Sequence, residues 1–177
     1  MIALGRVHAT PACGPTVRGP MMPVRLARVV ARRPPRTPVS REPERDKAMT
    51  RRSIQVPGLR HGALPIPVAS VVGNLLVSGG INPVDPETGV IPESTDEQVA
   101  IAFANVRRVL DAAGGTTDDV VKCTVFVRDR SIRPVIDKYW VEMFPDEASR
   151  PARHTLPADL QGHTQLQLEI MAVLGQG

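Results

Sequence analysis

Aromatic residues are scarce in this 177-residue chain: one Trp, one Tyr and three Phe, 3% of the total. Aliphatic side chains must therefore fill any core, and their share suffices, since apolar residues make up 42%. The scarcity also argues against stacking platforms for single-stranded nucleic acid. Only two cysteines occur, Cys13 and Cys123, too few and too far apart for a disulfide framework. That count fits a reducing compartment, the cytoplasm. The four histidines are scattered, without the spacing of a metal site. No apolar run approaches the ~20 residues that span a bilayer, so no membrane partner is expected. Neither a G-x-x-x-x-G-K-[ST] nor a G-x-G-x-x-G segment is present, which removes the common phosphate-cradling loops.

Acidic residues are sparse only at the start. Residues 1–48 hold ten Arg/Lys against three Asp/Glu, a charge of +7, so the net +4 of the chain leaves −3 for residues 49–177. The basic isoelectric point belongs to the extension, and it is weak support for a nucleic-acid partner. Residues 1–48 also hold eight of the 18 prolines. Proline interrupts both ladders and helices, no period survives, and disorder is the expectation for this segment. It has no apolar h-region of a secretory signal. Its Arg-rich, acid-poor composition resembles a transit peptide, although the prolines break the amphipathic helix such a peptide needs. A start at Met49 is the alternative. Residues 49–177 are expected to form one domain.

Within that domain the pattern is regular. Val68 to Ser78 reads as a hairpin turning at Gly73-Asn74, and Asp85-Pro86-Glu87-Thr88-Gly89 as a second turn. Ser94 or Thr95 can cap a helix, with Glu97 or Gln98 completing a capping box. Val99, Ala102, Phe103, Val106, Val109, Leu110 and Ala113 form its apolar face, and Gly114-Gly115 ends it. Asp119 to Val127 is rich in β-branched residues and reads as a strand. A second helix begins near Pro134, with apolar pairs Val135/Ile136, Tyr139/Trp140 and Met143/Phe144. A strand is expected from Arg153, a hairpin loop at Gln161-Gly162-His163-Thr164, and an alternating strand from Gln165 to Val173. The order predicts an α+β two-layer sandwich: a mixed sheet of about six strands with two helices on one face. The other face needs cover, and association of copies through it would supply that.

Several residues can carry chemistry. Arg153, in Arg150-Pro151-Ala152-Arg153-His154-Thr155, offers a guanidinium fork that matches a carboxylate; an arginine in an ordinary surface salt bridge is the bland reading of the same residue. Gln167 and Glu169 share the polar face of the last strand, where a carboxylate can orient water; a solvated sheet face is the bland reading. Ser78-Gly79-Gly80 ends a strand and can present backbone N–H groups, or simply turn the chain. Cys123 alternates with Val125 and Val127 as a core residue would. His154 has no Ser or Cys partner at a telling spacing.

Residues from about Pro65 to Leu174 resemble the RidA/YjgF family of reactive-intermediate deaminases. The segments that carry the likeness are Gly73-Asn74-Leu75-Leu76-Val77-Ser78-Gly79, Asp85-Pro86-Glu87-Thr88-Gly89, Asn105-Val106 through Gly114, Val121 through Asp129, Pro151-Ala152-Arg153 and Leu166 through Val173. The resemblance implies a chorismate-mutase-like fold, homotrimers with ligand clefts between subunits, and hydrolysis of 2-imino acids or their enamine tautomers to 2-oxo acids and ammonia without metal or organic cofactor. It assigns Arg153 to the substrate carboxylate, Ser78, Gly79 and Thr155 to the cleft lining, Gln167 to the position of an acidic residue that places the hydrolytic water, and Asp137 to a helix-two asparagine. Gln holds a water but cannot take its proton, so Glu169 and His154 are candidate assistants. A non-catalytic, regulatory binder of small carboxylates is the alternative function. A ribonuclease, the label some members carry, fits poorly with the acidic domain.

Overall fold

The structure is a computed structural model that describes residues 50–175. The expectations for residues 1–48 lie outside the described residues.

The alternating segments form a six-stranded mixed sheet. Its strands are β1 (Arg52–Ile54), β2 (Ala69–Val72), β3 (Leu75–Ser78), β4 (Val120–Val127), β5 (Ala152–Pro157) and β6 (Leu166–Val173), in spatial order β1-β2-β3-β6-β4-β5. Only β4 and β5 run parallel. The β2–β3 hairpin turns where expected, and Gly73 takes φ +61 there, a conformation glycine adopts without penalty.

Helix α1 (Thr95–Ala113) starts at Ser94, whose Oγ accepts from the Glu97 N–H at 3.4 Å, and ends at Gly114 with φ +82. Gln98, considered for the capping box, instead turns inward. It is fully buried; its Oε1 accepts from the Gln165 N–H at 2.8 Å, and its Nε2 donates to the Pro92 carbonyl at 2.8 Å. One polar side chain thus ties the helix to the start of β6. Helix α2 (Arg133–Met143) carries Pro134 in its first turn, where the missing N–H costs no bond. Leu166, Leu168, Ile170 and Ala172 of β6, Cys123, Val125 and Val127 of β4, and the apolar face of α1 are all buried together. They form the layer between sheet and helices, as period-2 and period-3.6 patterns require.

Two expectations need correction, and one strand had none. The strand forecast from Asp119 starts at Val120, because Thr117–Asp119 is a 3-10 turn in which Asp119 Oδ2 accepts from the Thr116 N–H at 2.8 Å; this local bond competes with the ladder. The Gln161–Thr164 loop closes no hairpin: β4 lies between β5 and β6, so the connection crosses over it. Arg128 holds that crossing, donating from Nε to the Thr164 carbonyl at 3.0 Å and from Nη2 to the carbonyls of Gly162, at 2.7 Å, and Leu160. Strand β1, which had no periodic signal of its own, is added by pairing with β2. Its Arg52 also donates to the Ala113 carbonyl at 3.1 Å, placing a cation at the C-terminal end of α1.

On the open face, Val72, Leu75, Val77 and Met171 are 36–42% exposed. Val72 stands beside Leu75, and Val77 beside Met171, so they make one apolar strip.

Candidate functional site

The residues singled out from the sequence fall into two groups, one at each side of the sheet. On the edge strand β5, Arg153 is in register with Cys123 and Thr155 with Val125. Because Cys123 and Val125 face the helices, Arg153 and Thr155 do too. The Arg153 guanidinium carbon lies 4.9 Å over the Trp140 ring, a cation–π contact. Its Nη2 donates to Asp137 Oδ1 at 2.5 Å. Its Nη1 is buried and has no hydrogen-bond partner among the described residues. Asp137 and Trp140 are three apart on α2, so they share a face and grip the guanidinium from two sides. A buried N–H donor left unpaired costs about 1–3 kcal/mol, and a carboxylate oxygen is the partner that a guanidinium fork fits best. Beneath Arg153, burial pushes the Cys123 thiol up to about 12, opposed by the positive guanidinium. Cys123 is thus a packed core thiol without thiolate character.

The second group surrounds the end of β3. Ser78 is buried, and its Oγ accepts from the Ile170 N–H at 2.9 Å. The Gly79 N–H donates to the Val68 carbonyl at 2.8 Å, so that donor is engaged inside the sheet. Gln167, on the open face of β6, donates from Nε2 to Asn82 Oδ1 at 2.8 Å. Gly80 makes room for it: a side-chain carbon at position 80 would fall 2.4–2.8 Å from the Gln167 carboxamide. Asn82 is itself held by a buried residue of α1, Asn105, whose Nδ2 donates to the carbonyls of Asn82 and Val84, both at 2.9 Å. Gln167 borders a cleft of about 770 Å³ whose polar lining includes Arg60, His61, Asn82, Asp159 and His163.

The two groups do not meet inside one chain. Ser78 binds Ile170, Ile170 pairs with Cys123, and Cys123 pairs with Arg153. Three strand spacings, roughly 14 Å, therefore separate Ser78 from Arg153. Gln167 points to the face opposite Arg153. His154 and Glu169, considered as assistants, both neighbour Thr124 on that open face, so His154 turns away from Arg153. Sequence pattern alone does not mark Trp140, Asn82 or His61 as site residues. The signal for Trp140 was its spacing of three from Asp137; Asn82 and His61 lie in loops where no period marks a side chain.

Comparison with known proteins gives this geometry a context. A family model described as endoribonuclease L-PSP matches residues 67–174. The chain belongs to this family, RidA/YjgF. Among curated relatives, a RutC family protein of Aquifex aeolicus is 33% identical over 116 residues, covering 62% of this chain and 92% of the relative. The 2-iminobutanoate/2-iminopropanoate deaminase of Salmonella typhimurium is 32% identical over 104 residues, covering 58% of this chain and 81% of the relative. Among solved structures, the YjgF gene product of E. coli superposes with a TM-score of 0.63 at 27% identity, over 69% of this chain and 98% of its own. The two-layer fold is that of the family. At these identities the chain is a divergent member. Among the described residues no helix is long and apolar enough to cross a membrane.

Proposed function

We propose that this protein hydrolyses small 2-imino acids, or their enamine tautomers, to 2-oxo acids and ammonia. The observation that carries the reading is the Nη1 of Arg153, buried and unpaired among the described residues, beside an Nη2 already held by Asp137. The anchor is fixed in orientation by Asp137 and Trp140 and keeps one donor for a ligand carboxylate. Named deaminases among the relatives support the reaction class. Fixing the carboxylate places the adjacent C=N carbon, and such placement supplies much of a rate when the substrate is already an electrophilic iminium. Water adds to that carbon, the C=N electrons move to nitrogen, and the carbinolamine releases ammonia as the carbonyl forms.

Association of copies completes the site in this reading. Ser78, Gly79 and Gln167 lie too far from Arg153 and Thr155 to share one small ligand within a chain. A homotrimer, packed through the apolar strip of Val72, Leu75, Val77 and Met171, would bring the β5 edge of one copy to the β3 end of the next. The partners are then a small carboxylate substrate and two further copies of the chain, in the cytoplasm. The second reading, a regulatory binder of 2-oxo acids, is favoured by one observation: Gln167 stands where the resemblance expects a carboxylate. The two are separated by generating 2-iminopropanoate in situ and following its decay. Acceleration lost in Arg153→Ala supports hydrolysis; thermal stabilisation by pyruvate without acceleration supports the binder.

A further inference from the structure

Gln167 can orient water but cannot accept its proton, so a hydrolase built on this chain needs another base. The cleft beside Gln167 holds one suited to the task. His61 lies in the loop between β1 and β2, and its Nε2 is buried with no hydrogen-bond partner among the described residues. It packs against the end of β3: a side-chain carbon at Gly79 would sit 3.4 Å from Nε2. The next residue, Gly80, is the one that seats the Gln167 carboxamide. Consecutive glycines thus leave room for an imidazole and for a carboxamide, and both side chains line the same cleft of about 770 Å³.

The other titratable or charged side chains of that cleft are Arg60, Asp159 and His163. Arg60 carries hydrogen-bond donors and no acceptor. Asp159 is exposed. The His163 ring is already committed through Nε2 to the Ile91 carbonyl at 3.0 Å, with Glu93 at 3.9 Å. Only His61 in this set combines a buried ring nitrogen with an open bonding position.

We infer that His61 is the general base and acid of the imine hydrolysis, taking the role that a carboxylate at position 167 would have. It rests on the hydrolase reading above. Gln167 holds the water; His61 Nε2 takes a proton from it as the C–O bond forms and the C=N pair moves to nitrogen. The protonated imidazole then gives that proton to the amine of the carbinolamine. The C–N bond breaks with its electrons leaving on ammonia, and the hydroxyl proton passes to His61 as the carbonyl forms and from there to the departing ammonia. One iminium ion and one water become one 2-oxo acid and one ammonium ion, and the imidazole ends neutral, as it began.

The test uses the full chain and 2-iminopropanoate or 2-iminobutanoate generated in situ, with the buffer-catalysed decay subtracted at each pH. Wild type, His61→Gln, His61→Asn, Arg153→Ala and the double variant His61→Gln/Gln167→Glu are compared between pH 5.5 and 9. The expected result is a fall in kcat of about 100-fold or more for both single His61 variants, with KM and melting temperature little changed. The wild-type profile carries an acid limb that the His61 variants lack. The added carboxylate of the double variant recovers much of the rate, which a merely structural histidine would not allow. If His61→Gln and His61→Asn keep the wild-type rate and profile while Arg153→Ala is inactive, His61 has no such role and the hydrolase reading stands. If wild type accelerates nothing, both fall.

Discussion

Replacing Asp137 by Asn removes one negative charge from beside the Arg153 guanidinium and changes almost nothing else. The Asn Oδ1 can still accept from Nη2, as Asp137 Oδ1 does at 2.5 Å. The pair is only partly sheltered, with side-chain exposures of 21% for Arg153 and 55% for Asp137. Losing the charge should therefore cost less than about 1 kcal/mol of stability, a melting shift within about 4 °C for a domain of this size. The effect on a ligand is larger and of opposite sign. A carboxylate bound at Nη1 would stand on the order of 6 Å from the Asp137 carboxylate. At effective dielectric constants between about 80 and 20, that repulsion is about 0.7–3 kcal/mol. Removing it should tighten binding of a 2-oxo acid by between about 3-fold and about 100-fold. Titration calorimetry of wild type and Asp137→Asn with pyruvate or 2-oxobutanoate measures the ratio directly. An unchanged or weaker affinity in the variant would refute the reasoning: Asp137 would then hold Arg153 in place without opposing the ligand, or the ligand would not bind at Nη1.

Two further outcomes follow from local packing. Gly80→Ala would force the Gln167 carboxamide aside and break its bond to Asn82; the flexible side chain can move, so stability should fall by only about 1 kcal/mol, while imine hydrolysis drops sharply, and loss of folding with normal specific activity in the residual protein would contradict this. Cys123, whose thiol burial pushes up to about 12, should stay unmodified by iodoacetamide at pH 8 in the native protein and react only after denaturation, as peptide mapping would show; rapid native labelling would place it outside the core.

The parts of the fold visible in the sequence were those with a repeating burial pattern. Helix α1 announced itself through Ser94, seven apolar positions and Gly114, and β6 through the alternation of Leu166, Leu168 and Ile170 with polar neighbours. Periodicity reports which side chains share a face, but not which strands lie side by side. Hence the insertion of β4 between β5 and β6 leaves no sequence signal, and Gln161–Thr164 reads as a hairpin. The turn at Thr117–Asp119 was hidden because local side-chain bonding at Thr116 and Asp119 accompanies it. At the site, the guanidinium chemistry of Arg153 was legible, and so was the deficiency of Gln167. The grip of Asp137 and Trp140 on Arg153 was not, since it joins α2 to β5 across the fold. Nor was the position of His61, which depends on two glycines lacking side chains.

The central claim is that Arg153 anchors a carboxylate whose imine is hydrolysed. The most direct measurement is the rate of 2-iminopropanoate decay with purified wild type and with Arg153→Ala. Wild type should accelerate the decay clearly, and Arg153→Ala should lose that acceleration while keeping its fold. Equal decay rates with both proteins, indistinguishable from buffer, would contradict it.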